Sequence, residues 1–524
     1  MTGGWAGGRT GSVMLCLAVG LLPICPSARL SAQDTAQGRI VYEQWCAACH
    51  GSSGIGDGPA ASYMLPRPRD FTAALYQIRT TASGQLPTDA DLEHVLDQGL
   101  PGTAMPGWET QLSARERRDV IAYIKGFSAF FADTTQRPQV LEFTGAPGVN
   151  DEGLRVGRQF YDSIGCVKCH GLAGRGDGPS APTLFDDTGP RFPIRAADLT
   201  QGWNFNGGST AADVYRRLRT GIDGTPMPSF SDLIDQQFLT DEQLWRVAQY
   251  VRSLSPEDAP RPVEVIEVVE VVTLPTSPDD SAWSQVPSFY VPLVGQVIRK
   301  ARWFAPAVSA VWVQAMHDGR SIALRVAWSD RSESPDSSWA DWQARLAQAM
   351  ASDDSADFGR GRYPDQLAVQ FPRRMPEGGE LPYFLMGSSS EPVYQWRWRS
   401  APRGVEEGSA RGLEAWEPQA AGAQNLTAAA VYDAGQWRVL FTRALATGDT
   451  VGDLAMPTGA AIPIAFFAWD GSSGEHGTRV SVSSWTYLAL AEPVPAGVYI
   501  TPVVAMLIIA GLGYVVVQRA QRGS

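Results

Sequence analysis

The stretch CAACH, from Cys46 to His50, and the stretch CVKCH, from Cys166 to His170, decide the fold of this chain. In a CxxCH pattern the two thiols can add to the vinyl groups of a haem, while the adjacent imidazole reaches the iron as axial ligand. A thiol redox pair needs no neighbouring histidine, and a zinc site needs further Cys or His ligands that this chain lacks. The two motifs therefore predict two covalent haem c groups.

A methionine follows each motif in the same local context. Met105 lies in GTAMPGW and Met227 in GTPMPSF, at nearly equal distances after the CxxCH motifs. A single Met in a helical domain is more often core filler than ligand, but the equivalent positions favour two iron ligands. Ligation by His50 with Met105, and by His170 with Met227, gives low-spin iron suited to passing single electrons at fairly high potential.

The sequence around the motifs is repeated. GRIVYEQWCAACHG corresponds to GRQFYDSIGCVKCHG, and DLEHVLDQGLPGTAMPGW corresponds to DVYRRLRTGIDGTPMPSF. Each repeat closes with an amphipathic helical segment that opens with a capping pair, Ser113 with Glu116 and Thr240 with Gln243. The repeats resemble class I cytochrome c domains, which implies two small all-α domains at residues 33–135 and 150–256. The resemblance assigns one haem to Cys46, Cys49, His50 and Met105, and the other to Cys166, Cys169, His170 and Met227.

Composition narrows the remaining possibilities. At 524 residues the chain is too long for one domain, and its apolar fraction of 44% is that of a globular protein. A net charge of -12 without a basic run argues against nucleic-acid binding. Of the six cysteines, Cys16 and Cys25 lie near the N-terminus and four belong to the CxxCH motifs, so no disulfide framework is expected.

The N-terminal residues 1–32 have the pattern of a secretory signal peptide. Arg9 precedes an apolar run from Val13 to Ile24, and small residues surround Ser31 where cleavage would fit. Export agrees with covalent haem c, which bacteria attach outside the cytoplasmic membrane. A periplasmic protein is therefore expected.

Residues 496–518 predict a membrane anchor. The stretch from Val498 to Val517 contains no charge and is long enough to span roughly 30 Å of hydrocarbon. Arg519 and Arg522 follow it, so the positive-inside rule places a short tail in the cytoplasm. The body of the protein is thus predicted on the periplasmic side of the cytoplasmic membrane, on a single C-terminal transmembrane helix.

In residues 260–493 apolar side chains recur with the period of two that is typical of β-strands. SIALRVAW alternates apolar side chains from Ile322 to Trp328, and QLAVQF and IPIAFFAW continue the pattern. Asp433-Ala434-Gly435 predicts a hairpin turn. An antiparallel β-sandwich is expected, which by itself defines no function.

Five landmarks carry a second resemblance: WSD at Trp328, PDQLAVQFP from Pro364, PYFLMGSSSEPVYQWRWRS from Pro382, AFFAWDGSSGE from Ala465 and SSWTYL from Ser483. In order and spacing they resemble the haem b-binding γ subunit of ethylbenzene dehydrogenase and its relatives. The resemblance implies a non-covalent haem b between a Met and a Lys. It also implies electron exchange with the molybdopterin and iron-sulfur subunits of an oxidoreductase.

The haem b ligands carry over only in part. Met386, in FLMG, matches the methionine of that family, but no lysine follows Lys300. Arg479 lies near the expected lysine position and has no lone pair to give, whereas His476 in the same segment could supply a nitrogen. Either the domain binds haem b through Met386 with an altered partner such as His476, or it is a haem-free docking module. His94 and His317 belong to no motif and are expected to be structural or surface residues.

These patterns predict a membrane-anchored periplasmic electron-transfer subunit, without catalysis of its own. It would relay electrons between a molybdopterin oxidoreductase and a soluble or membrane cytochrome. Two alternatives remain open. Catalysis at one haem, as in dihaem peroxidases or thiosulfate dehydrogenases, would require an open or unusual axial position. A carbohydrate-binding sandwich could stack sugars on Trp396 and Trp398.

Overall fold

A computed structural model describes residues 34–133, 135, 138–186, 191–350, 361–376, 378–490 and 496–522. The predicted signal peptide, residues 1–32, lies outside the described residues. A helical half is followed by a β half and then by one long C-terminal helix. The order of elements thus follows the order expected from the sequence.

The first helical unit contains α1 (Thr35–Trp45), α2 (Ala47–His50), α3 (Asp89–Gln98) and α4 (Ala114–Lys125). Helices α1 and α4 pack so closely that a Cβ at Gly38 would lie 2.0 Å from the carbonyl oxygen of Asp119. A glycine is required there because every other residue type would clash with this backbone. The predicted capping box of Ser113 and Glu116 is confirmed at the start of α4.

The second helical unit contains α5 (Asp151–Ser163), α6 (Val167–His170), α7 (Ala211–Thr220), α8 (Ser231–Asp235) and α9 (Asp241–Ser253). Gly157 takes the place of the first unit's crossing glycine, since its Cβ would lie 2.1 Å from the carbonyl oxygen of Arg246 on α9. The capping box of Thr240 and Gln243 is confirmed as well. The two units therefore repeat in structure as they do in sequence.

The β half contains fourteen described strands and one helix. The strands are β1 (Val265–Glu270), β2 (Phe289–Pro292), β3 (Val294–Gly295), β4 (Ala310–His317), β5 (Ser321–Ser329), β6 (Gln366–Pro372), β7 (Val393–Ser400), β8 (Arg403–Ala410), β9 (Trp416–Pro418), β10 (Thr427–Asp433), β11 (Gln436–Ala444), β12 (Ala461–Trp469), β13 (Ser481–Val482) and β14 (Thr486–Leu490). Helix α10 (Ala340–Ala349) lies between β5 and β6. Short 3-10 turns connect several elements, among them Gly202–Asn204 and Gly471–Ser473.

The strands follow the order β10-β11-β5-β4-β1-β14-β12-β6-β7-β8-β9. Strand β12 belongs to both halves of this path, because Ala461 to Ile464 pair with β14 and Ala465 to Trp469 pair with β6. Most pairs are antiparallel, as expected. Strand β1 differs, since it runs parallel to both of its neighbours, β4 and β14. The expected hairpin joins β10 to β11, with Asp433 opposite Gln436.

The two halves of the sheet pack face to face. The ring of Trp398 on β7 lies 6.0 Å from that of Trp328 on β5 and 4.7 Å from that of Trp437 on β11. Trp396 contacts Phe441 in the same way at 5.9 Å. These rings belong to one apolar core that includes side chains from β1, β4, β6, β12 and β14. The β half is therefore a sandwich.

The last helix, α11 (Ala496–Arg522), lies at the predicted anchor. Its described side chains are almost all exposed although most of them are apolar, as at Leu507, Ile508 and Leu512. The segment Ile500–Arg522 is long and apolar enough to cross a membrane. The predicted C-terminal helix is thus present as a candidate membrane span.

Candidate haem-binding sites

The first CxxCH motif forms one turn of helix directly after α1. The amide of Cys46 still donates to the carbonyl of Tyr42 at 2.8 Å, and the amide of His50 donates to the carbonyl of Cys46 at 2.9 Å. The hydroxyl of Tyr42 donates to the carbonyl of Gly51 at 2.7 Å, which ties the end of the turn to α1. Because Cys46 and Cys49 are three residues apart on this turn, they lie on the same face.

The imidazole of His50 is oriented by the backbone. Its Nδ1 lies 3.0 Å from the carbonyl oxygen of Arg69, and its ring stacks on Phe71 with 4.4 Å between centroids. Burial lowers the pKa of His50, so the imidazole is neutral at neutral pH. A neutral ring that donates through Nδ1 leaves the lone pair of Nε2 for a metal.

The second motif repeats this arrangement. The Nδ1 of His170 lies 3.1 Å from the carbonyl oxygen of Ala197, and burial lowers the pKa of His170. The hydroxyl of Tyr161 donates to the carbonyl of Gly171 at 2.7 Å. Tyr161 therefore corresponds to Tyr42, and both imidazoles have the same orienting partner, a backbone carbonyl.

The thiols are not poised for redox exchange. Burial raises the pKa of Cys46 to about 12 and that of Cys166 to about 12, and it also raises the pKa of Cys49 and of Cys169. All four thiols are therefore protonated at neutral pH, whereas redox-active pairs depend on a thiolate. This state agrees with thiols that serve covalent attachment.

The two methionines lie in loops of identical conformation. The amide of Leu100 donates to the carbonyl of Met105 at 3.0 Å, and the amide of Met105 donates to Thr103 Oγ1 at 3.1 Å. In the second unit Ile222 and Met227 form the first of these bonds at 3.1 Å. Each loop begins at a glycine with a φ of 68°, Gly99 and Gly221.

In each unit the methionine and the first cysteine pack into one apolar cluster. Cys46 belongs to the core cluster of the first unit and Met105 packs against it, whereas Cys166 and Met227 both pack against the core cluster of the second. Two thiols, a neutral imidazole with one free nitrogen and a thioether form the donor set of a His/Met-ligated haem c. The residues present in both units fit that group.

Met386 occupies a different environment. Its side chain is fully buried, and its backbone has a φ of 60°. It packs with Ala368 and Phe467, on the outer face of β6 and β12 rather than in the core between the two halves of the sheet. The guanidinium of Arg397 donates to its sulfur at 3.2 Å and lies over the ring of Trp416, 4.1 Å from the centroid. Burial lowers the pKa of Arg397 to about 10, so the guanidinium keeps its charge at neutral pH. A cation on the sulfur opposes the approach of iron.

The segment expected to supply the second haem b ligand contributes an aliphatic side chain instead. Val480, next to Arg479, is fully buried in the same apolar cluster as Met386. The Nδ1 of His476 lies 2.9 Å from the carbonyl oxygen of Gly474, and its ring stacks on Tyr363 with 3.8 Å between centroids. In this arrangement the sulfur of Met386 is engaged by Arg397, and ligation of haem b by Met386 and His476 stays a prediction.

The structure also places two tryptophans and two histidines that the sequence brought into question. Trp396 and Trp398 are buried in the core of the sandwich, so they cannot stack on a sugar and the carbohydrate-binding alternative loses its basis. His317 is buried on β4, where its Nδ1 accepts from the amide of Gly319 at 3.2 Å. His94 is exposed on α3. Both histidines have the structural or surface character that was expected.

A buried carboxylate cluster escaped the sequence analysis. Carboxylate oxygens of Asp330, Asp365 and Asp470 lie within 4.8 Å of one another, and all three residues are buried. Backbone and indole N–H groups hold them: Asp365 accepts from the amide of Ser334 at 2.7 Å and from the indole of Trp437 at 3.0 Å. The sequence did contain a signal for this cluster, because its three aspartates belong to the landmarks WSD, PDQ and AWD.

Burial and mutual repulsion change the acidity of this cluster. The pKa of Asp365 rises to about 7, first through burial and then through Asp470. The pKa of Glu475, which accepts from the indole of Trp303 at 2.8 Å, rises to about 8 for the same two reasons. The nearby Arg195 of the second helical unit donates to the hydroxyl of Ser473 at 3.3 Å. The cluster therefore lies where the sandwich meets that unit.

The fold and the paired sites define a tandem cytochrome c joined to a β-sandwich. Comparison with protein families agrees: residues 33–124 match the family of subunit III of cbb3-type cytochrome c oxidase, residues 155–255 match cytochrome c, and residues 280–413 match ethylbenzene dehydrogenase. The chain consists of two cytochrome c domains followed by an ethylbenzene dehydrogenase-type domain. Both resemblances stated from the sequence are confirmed, and cytochrome c domains carry covalent haem c.

Individual proteins match parts of the chain. A candidate heme subunit of a respiratory nitrate reductase from Haloferax mediterranei is 25% identical over 257 residues, which cover 47% of this chain and 81% of that protein. The dimethylsulfide dehydrogenase subunit gamma of Rhodovulum sulfidophilum is 27% identical over 262 residues, covering 47% and 87%. A chain of the reducing HAO-like protein complex of Kuenenia stuttgartiensis is 40% identical, with coverage of 43% and 97% and a TM-score of 0.40.

Proposed function

We propose that this protein is a membrane-anchored electron-transfer subunit with two covalent haem c groups. The observation that carries the proposal is repeated in both helical units: a CxxCH turn has its imidazole oriented by a backbone carbonyl, and its first cysteine and a methionine pack on one apolar cluster. A haem c bound there would supply a reversible one-electron couple. The chain's own residues attach it, orient its axial ligands and shield it from water.

Each ligand has a distinct structural role in this proposal. Cys46, Cys49, Cys166 and Cys169 form the thioether bonds. His50 and His170 serve as axial ligands, each fixed in one orientation by the carbonyl that accepts from its Nδ1. Met105 and Met227 complete the coordination from loops that close on themselves by hydrogen bonds. With a methionine proposed at both irons, neither site offers the open position that catalysis at a haem requires.

The sandwich is proposed as a haem-free docking module. Arg397 covers the sulfur of Met386, and Val480 fills the position beside it. The partners proposed for it are the molybdopterin and iron-sulfur subunits of an oxidoreductase, since relatives of this chain are the gamma subunit of dimethylsulfide dehydrogenase and a candidate heme subunit of a nitrate reductase. A soluble or membrane cytochrome would exchange electrons with the haems.

The proposed location is the periplasmic face of the cytoplasmic membrane. A signal peptide at residues 1–32 would export the chain, and α11 would anchor it with Arg519 and Arg522 in the cytoplasm. The tether would hold the haems close to membrane partners at high effective concentration. Protease added to intact spheroplasts should remove the two helical units and the sandwich, and leave a small membrane-bound fragment.

A pyridine haemochrome spectrum before and after acid-acetone extraction tests the cofactor content. Two haems per chain, both resistant to extraction, are expected. The double substitutions Cys46→Ala with Cys49→Ala, and Cys166→Ala with Cys169→Ala, should each remove one of them. A third, extractable haem that disappears in Met386→Leu would overturn the haem-free sandwich, and fewer than two covalent haems would overturn the tandem cytochrome.

A further inference from the structure

A buried ion pair joins the two helical units. Arg79 of the first unit is fully buried, and its Nη2 lies 2.7 Å from Oδ2 of Asp223 in the second unit. The same nitrogen donates to the carbonyl of Thr220 at 2.7 Å. Asp223 accepts two more bonds from the first unit, from the hydroxyl of Ser83 at 2.8 Å and from the amide of Gly84 at 2.9 Å. Both oxygens of this carboxylate are therefore held by the other unit.

Asp223 lies inside the loop that carries Met227. The amide of Ile222, its neighbour, donates to the carbonyl of Met227 at 3.1 Å and closes the loop. Within that turn the amide of Met227 donates to Thr225 Oγ1 at 3.2 Å. Because Asp223 lies between the two ends of the closing bond, the loop cannot swing away from the helical core while the first unit holds the carboxylate.

The first unit provides an internal comparison. Its methionine loop has the same closing bond, from the amide of Leu100 to the carbonyl of Met105 at 3.0 Å. At the position of Asp223, however, it has Pro101, which is exposed. Gly102 next to it approaches Asn204 of the second unit only closely enough for packing, with 3.2 Å from an added Cβ to the Cβ of Asn204. In the part of the chain that the structure describes, the ion pair thus secures one of the two loops.

The position of Arg79 is itself fixed from several sides. Its Nη1 donates to the carbonyl of Tyr76 at 2.6 Å, and its Nε donates to the carbonyl of Ala82 at 3.2 Å. Arg217 on α7 donates in turn to the carbonyl of Arg79 at 3.2 Å. Charge-assisted bonds to a buried, preorganised guanidinium are stronger than exposed ion pairs, because water neither screens nor replaces them.

We propose that Asp223 is a positioning residue which, with Arg79, forms an interdomain latch that holds the Met227 loop closed. The inference rests on the proposed haem c groups. It makes the two sites unequal: the latched loop of the second unit opens less readily than the free loop of the first. A small neutral ligand that competes with methionine, such as imidazole, therefore binds the first site more readily than the second.

Imidazole titration of the full-length, fully loaded protein tests the latch. The loss of the near-infrared sulfur-to-iron charge-transfer band reports each methionine that is displaced. Two phases are expected, and the variant lacking Cys46 and Cys49 shows which belongs to the second unit. In Asp223→Ala the affinity of that second-unit site should rise about tenfold or more, which corresponds to 1.4 kcal/mol, while the affinity of the first site stays unchanged. Equal phases in the unaltered protein, or equal shifts of both phases in the variant, would overturn the latch.

Two further variants and two further measurements keep the test independent of folding and of the haem assignment. Glu242→Ala, which removes an ion pair of the same unit at 3.1 Å from Arg246 on α9, is the matched control and should leave both phases unchanged. Asp223→Asn keeps an acceptor oxygen and serves if the alanine variant fails to fold; its shift should be smaller and in the same direction. Hydrogen exchange of the Ile222 amide should be faster in Asp223→Ala, and unchanged exchange contradicts the latch. A haemochrome count below two would refute the proposed cofactors instead.

Discussion

The sulfur of Met386 accepts a hydrogen bond from the guanidinium of Arg397 at 3.2 Å, on the outer face of the sandwich. Arg397 in turn lies over the ring of Trp416 and donates through Nε to Gln395 at 2.9 Å. One lone pair of the sulfur is thus engaged by a cation. The contact turns a residue that the family resemblance assigns to haem b into part of a buried apolar cluster with one charged neighbour.

Replacing Met386 should leave the haem content unchanged. Met386→Leu conserves volume, so we expect a loss of unfolding free energy below about 1.5 kcal/mol and two haems per chain. Met227→Leu is the matched control, because it should remove the charge-transfer band of one haem. The haemochrome count and chemical denaturation provide the measurements, and loss of a non-covalent haem in the Met386 variant would contradict the expectation.

Tyr42 and Tyr161 should contribute equally to their units. Each donates a buried hydrogen bond to a carbonyl just after the CxxCH turn. Tyr42→Phe and Tyr161→Phe each remove this bond, while the amides of Gly54 and Gly174 still donate to the same carbonyls at 3.3 Å. Each substitution should therefore cost about 0.5–1.5 kcal/mol of unfolding free energy. Thermal unfolding followed at the Soret band checks this pair. Tyr63→Phe alters an exposed tyrosine of the first unit and should cost far less.

The crossing glycines should not tolerate alanine. A Cβ at Gly38 would lie 2.0 Å from a backbone oxygen of Asp119, and one at Gly157 would lie 2.1 Å from that of Arg246. Gly38→Ala and Gly157→Ala should each destabilise their unit by about 3 kcal/mol or more, because backbone must move. Gly145→Ala is the control, since an added Cβ there meets nothing within 4 Å. Purified haem per chain and the melting temperature report the outcome.

The stability of the sandwich should fall as pH rises. The pKa values of Asp365, about 7, and Glu475, about 8, exceed those of the unfolded chain, so the folded state binds these protons more tightly. The stability that these bound protons contribute is fully present below the pKa of carboxyls in the unfolded chain. It is lost progressively as the pH rises to about 8. Each proton involved changes the unfolding free energy by about 1.4 kcal/mol per pH unit.

Denaturation followed by tryptophan fluorescence between pH 4 and 9 measures that slope. Burial and then Asp365 also raise the pKa of Asp330, so Asp330→Asn removes one of the titrating carboxyls and should flatten the slope. Asp449→Asn is the control: amides of Gly452 and Val451 lower the pKa of this exposed carboxyl, so its removal cannot flatten a loss of stability at rising pH. An unchanged slope in Asp330→Asn would show that the cluster does not titrate as described.

Local signals predicted the helical half well. The CxxCH turns, the capping boxes and the paired methionines depend on neighbours within a few residues, and the repeat supplied each of them twice. The residues that join the units were missed because they meet only in the fold: Arg79 and Asp223 are far apart in sequence, and Arg79 lies outside the quoted repeats. Comparison of the two repeats did not indicate the latch either, because the first repeat has Pro101 where the second has Asp223.

For the β half, the sequence predicted the strands but not how they are arranged. Alternation predicted strands and the resemblance predicted the domain, but neither indicates which strands pair. The parallel pairing of β1 follows from long-range topology, and the carboxylate cluster arises because three landmark segments converge. A family motif likewise does not reveal that Arg397, which follows Met386 by 11 residues, donates to its sulfur.

The position of β1 between β4 and β14 constrains the order in which the protein can mature. The first strand of the sandwich has one neighbour that is translated soon after it and another, Thr486–Leu490, that is translated only just before the anchor. Until that last strand arrives, one edge of β1 stays open to pairing with other chains. The sandwich therefore completes its sheet only when the candidate membrane helix is about to leave the ribosome, so the proposed attachment to the bilayer would fall in the same short interval of synthesis as the closing of the fold.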